Sequence, residues 1–193
     1  MKNLPSILTV ATLLLVAACT KDNNMADPTP APQAIPIPNG DFESWPFQRP
    51  EYWQNNSCPY CAQPIETYIV QQDSNPPQGL FAAKFIYNNV YPAYTENRFA
   101  VPTHPVTLTA YVKCDLYGTD SVYIKINVLN NSTVVDSGQW IGTTSIGNYS
   151  QVTIPITQSF LQADTAVIYI QGGHKQGYPL NNTILWVDDL HLQ

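Results

Sequence analysis

The sequence predicts an all-β protein, a two-sheet antiparallel β-sandwich. Apolar residues alternate with polar ones with a period of two along several segments, and no stretch carries a helical apolar face. Groups of turn residues separate these segments at intervals of about 8 to 15 residues, as in sandwiches. Only 11% of the residues are charged, which argues against long exposed helices.

The first 18 residues are predicted to be a lipoprotein signal peptide. Lys2 provides the positive start, and the apolar run from Leu4 to Ala17 is shorter than the roughly 20 residues that span a bilayer. The sequence Val16-Ala17-Ala18-Cys19 resembles a bacterial lipobox. This resemblance implies that Cys19 becomes the lipidated N-terminus and that the membrane is contacted through the lipid alone.

Residues 19–38 are predicted to be the lipidated cysteine and an extended tether. The tether has no apolar periodicity and is rich in proline: Pro28, Pro30, Pro32, Pro36 and Pro38. Its start, Thr20-Lys21-Asp22-Asn23-Asn24, resembles the export signal of surface lipoproteins of Bacteroidota. We therefore expect an outer-membrane protein on the cell surface, with the periplasmic face as the alternative, and a folded domain from 39 to 193.

Four segments of this domain alternate clearly and predict strands: 106–114, 122–129, 152–156 and 166–171. Weaker patterns predict further strands at 65–71, 80–87, 132–140 and 183–192. Pro155 lies within one of the four and predicts an edge strand or a bulge. Two segments rich in aromatic residues and proline, 45–56 and 87–94, are predicted to be loops.

Both ends of the domain carry short motifs. The domain opens with Asn39-Gly40-Asp41-Phe42-Glu43-Ser44-Trp45 and Pro50-Glu51-Tyr52-Trp53, and it closes with Val187-Asp188-Asp189-Leu190-His191-Leu192. Gly79, Ala82 and Lys84 form a third motif between them. Together these motifs resemble jelly-roll, galactose-binding-like carbohydrate-binding modules and the carbohydrate-metabolism domain family of Bacteroidota lipoproteins. The resemblance covers the whole domain and implies that the first and last strands lie side by side.

The resemblance also implies a structural calcium ion near the paired ends. Glu43 and Asp188 match the positions that supply ligands in such modules, and calcium binds six to eight oxygen atoms. The Gly40 carbonyl and the side chains of Asp41 or Asp189 are further candidate donors. The alternative is that these acids cap turns and face solvent.

Aromatic residues suggest a sugar-binding surface, because flat rings stack on sugar rings while amides bind hydroxyl groups. The candidates lie in the two predicted loops: Trp45, Trp53, Tyr87, Asn88, Tyr91 and Tyr94. For Trp45 and Trp53, the alternative is a place in the sandwich core. Aromatic residues on a surface protein also serve protein interfaces.

Three cysteines remain after Cys19. The all-β prediction provides no helix for a redox Cys-x-x-C site, so we expect Cys58 and Cys61 to form a local disulfide. Cys114 is expected to be buried as a small apolar residue. Its pairing with Cys58 or Cys61 stays open.

The leading functional hypothesis is a non-catalytic, outer-membrane-anchored lipoprotein that captures a glycan by aromatic stacking. The net charge of −6 argues against nucleic acid as a partner and favours neutral glycans. No common catalytic motif is present in the sequence. The alternatives are a structural or adhesive protein with a protein partner, and a small glycoside-acting enzyme that pairs two of Glu51, Glu66 and Glu96.

Overall fold

The protein is a β-sandwich of two antiparallel five-stranded sheets, which confirms the predicted fold class. The computed structural model describes residues 33–46, 49–55, 70–87, 93–157, 162–173 and 183–193. The strands are β1 (Gln54–Asn55), β2 (Val70–Asp73), β3 (Ala82–Ile86), β4 (Ala93–Ala100), β5 (Thr107–Asp115), β6 (Val122–Asn130), β7 (Thr133–Gly142), β8 (Ile146–Pro155), β9 (Thr165–Gly172) and β10 (Ile184–Leu192). One sheet has the order β1-β4-β9-β6-β7 and the other β2-β3-β10-β5-β8.

The core lies between the sheets and is formed by alternate residues of the central strands. In β6, Val122, Ile124 and Ile126 are fully buried, whereas the intervening side chains reach solvent. Ile168 and Ile170 of the paired strand β9 lie beside Ile126 and Ile124 on the same inner face. Burying each such side chain contributes roughly 1.5 to 3 kcal/mol, so the alternation selects which face of each strand points inward.

The four clearly alternating segments correspond to β5, β6, β8 and β9. Strand β8 begins earlier than predicted, at Ile146, and lies at the edge of its sheet. Pro155 is the last residue of β8 and pairs with Thr107 of β5, the strand beside β8 in the described part of the sheet. The expectation of an edge position for this proline is confirmed, because a residue without an N–H group is tolerated there.

Strand β4 was not predicted, because residues 87–94 were assigned to a loop and its inner face is partly polar. Thr95 and Asn97 are buried beside Ala93 and Phe99. The Thr95 hydroxyl donates to the Gln54 carbonyl at 2.8 Å, and the Asn97 amide donates to the Pro38 carbonyl at 2.8 Å. These hydrogen bonds offset the cost of burying the two polar side chains.

The opening segment pairs with the last strand. Ile35 forms a bridge with Leu192, and the Leu190 N–H donates to the Gly40 carbonyl at 2.9 Å. The resemblance implied that the first and last strands lie side by side, but β1 is in the other sheet from β10. Only the segment ahead of β1 reaches the last strand, through this short seam. Ile35 is only 4% exposed, so the packed structure includes residues ahead of the expected start at residue 39.

Asn39 organises the turn that follows this seam. Its side-chain oxygen accepts the Ser44 N–H at 2.9 Å, and its amide donates to the carbonyls of Ser44 and Glu51 at 3.0 and 3.1 Å. Its φ of +47° lies in the left-handed region, which asparagine tolerates better than most residues. One side chain thus holds both parts of the opening motif.

No helix within the described ranges is long and apolar enough to cross a membrane. The membrane attachment expected from the sequence falls on residues 1–32, which lie outside the described part of the chain.

Gly138 provides a test of the packing between edge strands β7 and β8. A Cβ atom at Gly138 would lie 2.5 Å from the Pro155 carbonyl oxygen, whereas one at Gly147 would meet nothing within 4 Å. We expect Gly138→Ala to lower the free energy of unfolding by about 1 to 3 kcal/mol, measured by urea denaturation. Gly147→Ala, the matched control in β8, should change it by less than about 0.5 kcal/mol. Equal effects of the two substitutions would contradict this packing.

Candidate functional site

The outer surface of the β1-β4-β9-β6-β7 sheet carries three tyrosines in two adjacent rows. Strand register places Tyr94 opposite Gln171, Gln171 opposite Tyr123, and Tyr169 between Glu96 and Lys125. We call this surface the tyrosine face. It consists of Tyr94, Gln171, Tyr123, Ile141, Glu96, Tyr169, Lys125 and Gln139.

These side chains point away from the core because they alternate with the buried residues of their strands. Tyr94 is 42% exposed and follows the fully buried Ala93. Tyr123 and Tyr169 are half-buried. Neighbouring strands lie about 4.8 Å apart, so the two rows form a broad ribbon of aromatic and hydrogen-bonding groups.

One hydrogen-bond chain fixes part of this surface. The Tyr123 hydroxyl donates to the Gln171 side-chain oxygen at 2.5 Å, and the Gln171 amide donates to the Gly173 carbonyl at 2.7 Å. Partial burial raises the pKa of Tyr123, and burial followed by the Glu96 charge raises the pKa of Tyr169. Both phenols therefore stay protonated at neutral pH and retain their O–H donors.

Of the predicted ligand-binding residues, Tyr94 lies on this face, whereas Tyr87 and Trp53 are buried. Tyr87 is 3% exposed, and its ring packs so closely on Gly173 that a Cβ there would lie 2.5 Å from it. Trp53 is 4% exposed and lies 5.0 Å from the Phe42 ring. We therefore correct both assignments, because a buried ring offers no face to a sugar.

Trp45 is half-buried, and its indole N–H donates to the Phe42 carbonyl. Its ring centroid lies 6.5 Å from that of Phe42, so it packs on the aromatic group of the opening motif and against the core. Asn88 and Tyr91 lie outside the described residues.

Tyr123 and Tyr169 were missed as candidate ligand residues. Both occupy solvent-side positions of clearly alternating strands, which is the signal that could have found them. What the sequence lacks is the register that brings strands β4, β6 and β9 together and aligns these tyrosines with Tyr94.

Glu43 and Asp188 do meet, as the resemblance implied. They line one cavity of about 220 Å³, which we call the acid cavity; its walls are Asp41, Glu43, Gln78, Gly79, Asp188 and Asp189. The seam between the opening segment and β10 is what brings these two motifs together.

Glu43 is anchored to the loop that precedes β3. One carboxylate oxygen accepts the N–H groups of Leu80 and Phe81 at 2.7 and 3.1 Å. It lies against Gly79, whose φ is +67°; a Cβ there would fall 2.0 Å from the oxygen. Position 79 therefore requires glycine, because its φ is positive and because a Cβ atom would overlap the Glu43 carboxylate.

Asp188 is the most constrained acid of the cavity. It is 1% exposed, and Oδ1 accepts the Asp189 N–H at 2.8 Å. Among the described residues, the buried Oδ2 has no partner in well-formed hydrogen-bond geometry, although the Gln78 backbone N–H partly stabilises the charged carboxyl. Burial, together with the charges of Asp189 and Glu43, raises the pKa of Asp188 to about 7. The unfolded chain releases this proton near pH 4. The protonated Asp188 carboxyl therefore makes its full contribution to the free energy of unfolding below pH 4, and this contribution is lost as the pH rises toward 7.

The donor chemistry of the acid cavity fits a calcium ion. Four carboxylates line it, and the unpartnered oxygen of Asp188 is a group that a hard cation would satisfy. Within the described ranges, no three acidic, histidine or cysteine side chains already converge as a preformed metal site. The Gly40 carbonyl accepts the Leu190 N–H, as described above, so it is less available as a metal ligand than expected. The cavity thus brings together oxygen groups of the type that calcium prefers, but in the described residues they do not converge as a coordination sphere.

Cys114 is buried, as expected, and forms no disulfide within the described part of the chain. Its thiol lies 3.5 Å from the Thr144 carbonyl, and burial raises its pKa, so the reactive thiolate is disfavoured. The disulfide expected between Cys58 and Cys61 lies outside the described residues.

Similar folds occur among solved structures. TmCBM61, solved in complex with β-1,4-galactotriose, is 13% identical; the match covers 80% of this chain and 94% of that one, with a TM-score of 0.51. A cyclase from Fischerella sp. TAU is 16% identical, with coverage of 83% and 96% and a TM-score of 0.53. The enzymatically active domain of tailspike protein 4 from bacteriophage CBA120 is 14% identical, with coverage of 80% and 20% and a TM-score of 0.53.

No protein-family model matches the chain, and no curated protein matches it significantly. At the identities found among solved structures, the similarity shows the β-sandwich fold, which serves both carbohydrate-binding and catalytic proteins. The ligand of this chain therefore has to be argued from its own side chains.

Proposed function

We propose that this chain is a non-catalytic glycan-binding lipoprotein that captures a neutral saccharide on the tyrosine face. The observation that carries the proposal is the alignment of Tyr94, Tyr123 and Tyr169 with amide and charged side chains in two adjacent rows.

The chemistry of the tyrosine face matches a sugar. Each tyrosine ring offers an apolar face to the C–H groups of a pyranose, while its hydroxyl binds at the rim. Gln171 and Gln139 provide amides, which both donate and accept hydrogen bonds. The hydrogen-bond chain through Gln171 fixes part of this surface before binding, which reduces the entropy lost on association.

The charge of the tyrosine face is mixed and not strongly of one sign. Glu96 and Lys125 flank Tyr169 in the same row, and the Arg98 charge also acts on this ring, so one acid and two bases surround it. The net charge of the whole chain is −6, which disfavours polyanions wherever no local pair of cations offsets it. β-1,4-Galactotriose is the first ligand to test, since a protein of similar fold binds it.

Two tyrosines of the tyrosine face should dominate binding. We expect Tyr94→Ala/Tyr169→Ala to weaken the affinity for β-1,4-galactotriose, or for a neutral oligosaccharide identified by glycan array, by at least about tenfold in calorimetry. Tyr94→Phe/Tyr169→Phe, the matched control, keeps both rings and should retain most of the affinity. The thermal unfolding of each variant verifies that it is folded.

Three results would overturn this proposal. They are equal binding by wild type and the alanine variant, absence of binding to any neutral glycan, and steady release of reducing ends from a bound glycan. The last result would favour the glycoside-acting alternative, since a binding module leaves its ligand intact.

The proposal includes an outer-membrane anchor at Cys19, and its support is the lipobox-like sequence and the proline-rich tether. We expect labelled palmitate to be incorporated into the wild-type chain and not into Cys19→Ser, which should be released in soluble form. Protease treatment of intact cells should degrade a surface-exposed protein and spare a periplasmic one.

We further propose a structural calcium ion in the acid cavity, held by Asp188 and Glu43 with Asp41 or Asp189. The ion would satisfy the unpartnered oxygen of Asp188 and neutralise the crowded carboxylates, and it would perform no chemistry on the ligand. Its support is the buried, unpartnered carboxylate oxygen described above.

Calcium at about a hundredfold above its dissociation constant should raise the melting temperature by about 5 to 10 °C over a chelator-treated sample. Asp188→Asn should lose this gain, whereas Asp115→Asn, an exposed acid on β5, should keep it. In chelator at pH 7, Asp188→Asn should be more stable than wild type, and this advantage should vanish below pH 4. A calcium effect of equal size in both variants would place the ion elsewhere.

A further inference from the structure

A second row of side chains crosses the outer surface of the opposite sheet. Strand register places Trp186 of β10 opposite Lys84 of β3 on one side and opposite Lys113 of β5 on the other. Gln71 of β2 extends the row beyond Lys84. We call these four residues the tryptophan row.

Both lysines of the row lie close to the same indole ring. The Lys84 ammonium is 5.5 Å and the Lys113 ammonium 4.4 Å from the ring centroid of Trp186. The whole sequence contains only eight Lys and Arg residues, so two of them at one ring are a local concentration of positive charge in an acidic protein. Among the described residues, neither ammonium lies within ion-pair distance of a carboxylate.

The indole between the lysines is held in place by an acid. The Trp186 N–H donates to Asp73 Oδ2 at 2.7 Å, and Asp73 Oδ1 accepts the Asn75 N–H at 2.9 Å. Both oxygens of Asp73 are thus engaged in orienting the ring and its own loop. The two ammonium groups keep hydrogen-bond donors for a ligand.

We infer that the tryptophan row is a binding site for a saccharide that carries a carboxylate, such as a uronate. The carboxylate would bind the Lys84 or Lys113 ammonium group, both of which lie over the indole. The sugar ring would contact the part of the partly exposed indole that the two ammonium groups leave open. This site is on the opposite sheet from the tyrosine face, so it goes beyond the proposed function and does not depend on it.

The surroundings favour a single carboxylate per sugar over a denser anion. Asp73 contacts the indole directly, and the buried Asp188 follows two residues later on the same strand. A phosphate dianion or a nucleic acid would meet these negative charges as well as the net charge of −6. A single carboxylate can accept charge-assisted hydrogen bonds from either ammonium group, and these add to the aromatic contact.

A purely structural role for the row is a competing explanation with a different outcome. An exposed cation–π contact contributes about 0.5 to 1 kcal/mol to stability without any ligand. In that case, removing the lysines would lower stability slightly and leave the binding of every saccharide unchanged.

The test is calorimetric titration of the folded protein with trigalacturonate at low salt. We expect binding by wild type that weakens as salt is added, and a loss of at least about tenfold in Lys84→Gln/Lys113→Gln. Arg49→Gln removes one exposed positive charge elsewhere, so its matched comparisons are the single substitutions Lys84→Gln and Lys113→Gln. Arg49→Gln should change the affinity for trigalacturonate less than about twofold. Thermal unfolding of each variant verifies its fold.

Three outcomes would overturn the inference: no binding of trigalacturonate, equal binding by wild type and the double lysine variant, and binding of a sulfated trisaccharide in place of trigalacturonate. Loss of trigalacturonate binding in Tyr94→Ala/Tyr169→Ala would also overturn it, by placing the acidic sugar on the tyrosine face. The neutral β-1,4-galactotriose titration is run separately. Its failure would refute the proposed function and leave the result for the tryptophan row standing.

Discussion

The architecture depends on a short seam between the two ends of the domain. Ile35 and Gly40 bond to the last strand, and the Asn39 side chain ties the turn that follows to Ser44 and Glu51. This seam covers part of β10 and closes one end of the core. It also forces the acids of both terminal motifs into one cavity, so the closure of the sandwich has an electrostatic cost that falls on Asp188.

Much of the fold could be predicted because burial imposes a period of two on each strand that has one face on the core. The segments that became β5, β6 and β9 follow this rule without exception on their inner faces. Strand β4 does not, because Thr95 and Asn97 replace apolar residues on its inner face and are satisfied by carbonyls of distant segments. No local sequence pattern predicts these hydrogen-bond partners of Thr95 and Asn97.

The candidate site was less predictable than the fold. Composition identified Tyr94, but it could not tell an exposed ring from a buried one, so Trp53 and Tyr87 were assigned with it. Tyr123 and Tyr169 come from strands that are distant in sequence, and they join Tyr94 only through pairings of β9 with both β4 and β6. Strand register depends on pairing between residues that are distant in sequence, so it could not be predicted from this sequence alone.

The tyrosine face and the tryptophan row lie on the outer surfaces of opposite sheets, with a core about 10 Å thick between the sheets. One saccharide chain lying along the tyrosine face therefore cannot lie along the tryptophan row at the same time. Occupation of both would join separate strands of a polysaccharide, or separate blocks of one strand that doubles back. On a surface displaying many copies, such two-sided contacts would convert weak single-site affinities into avidity, in the manner of a cross-linker.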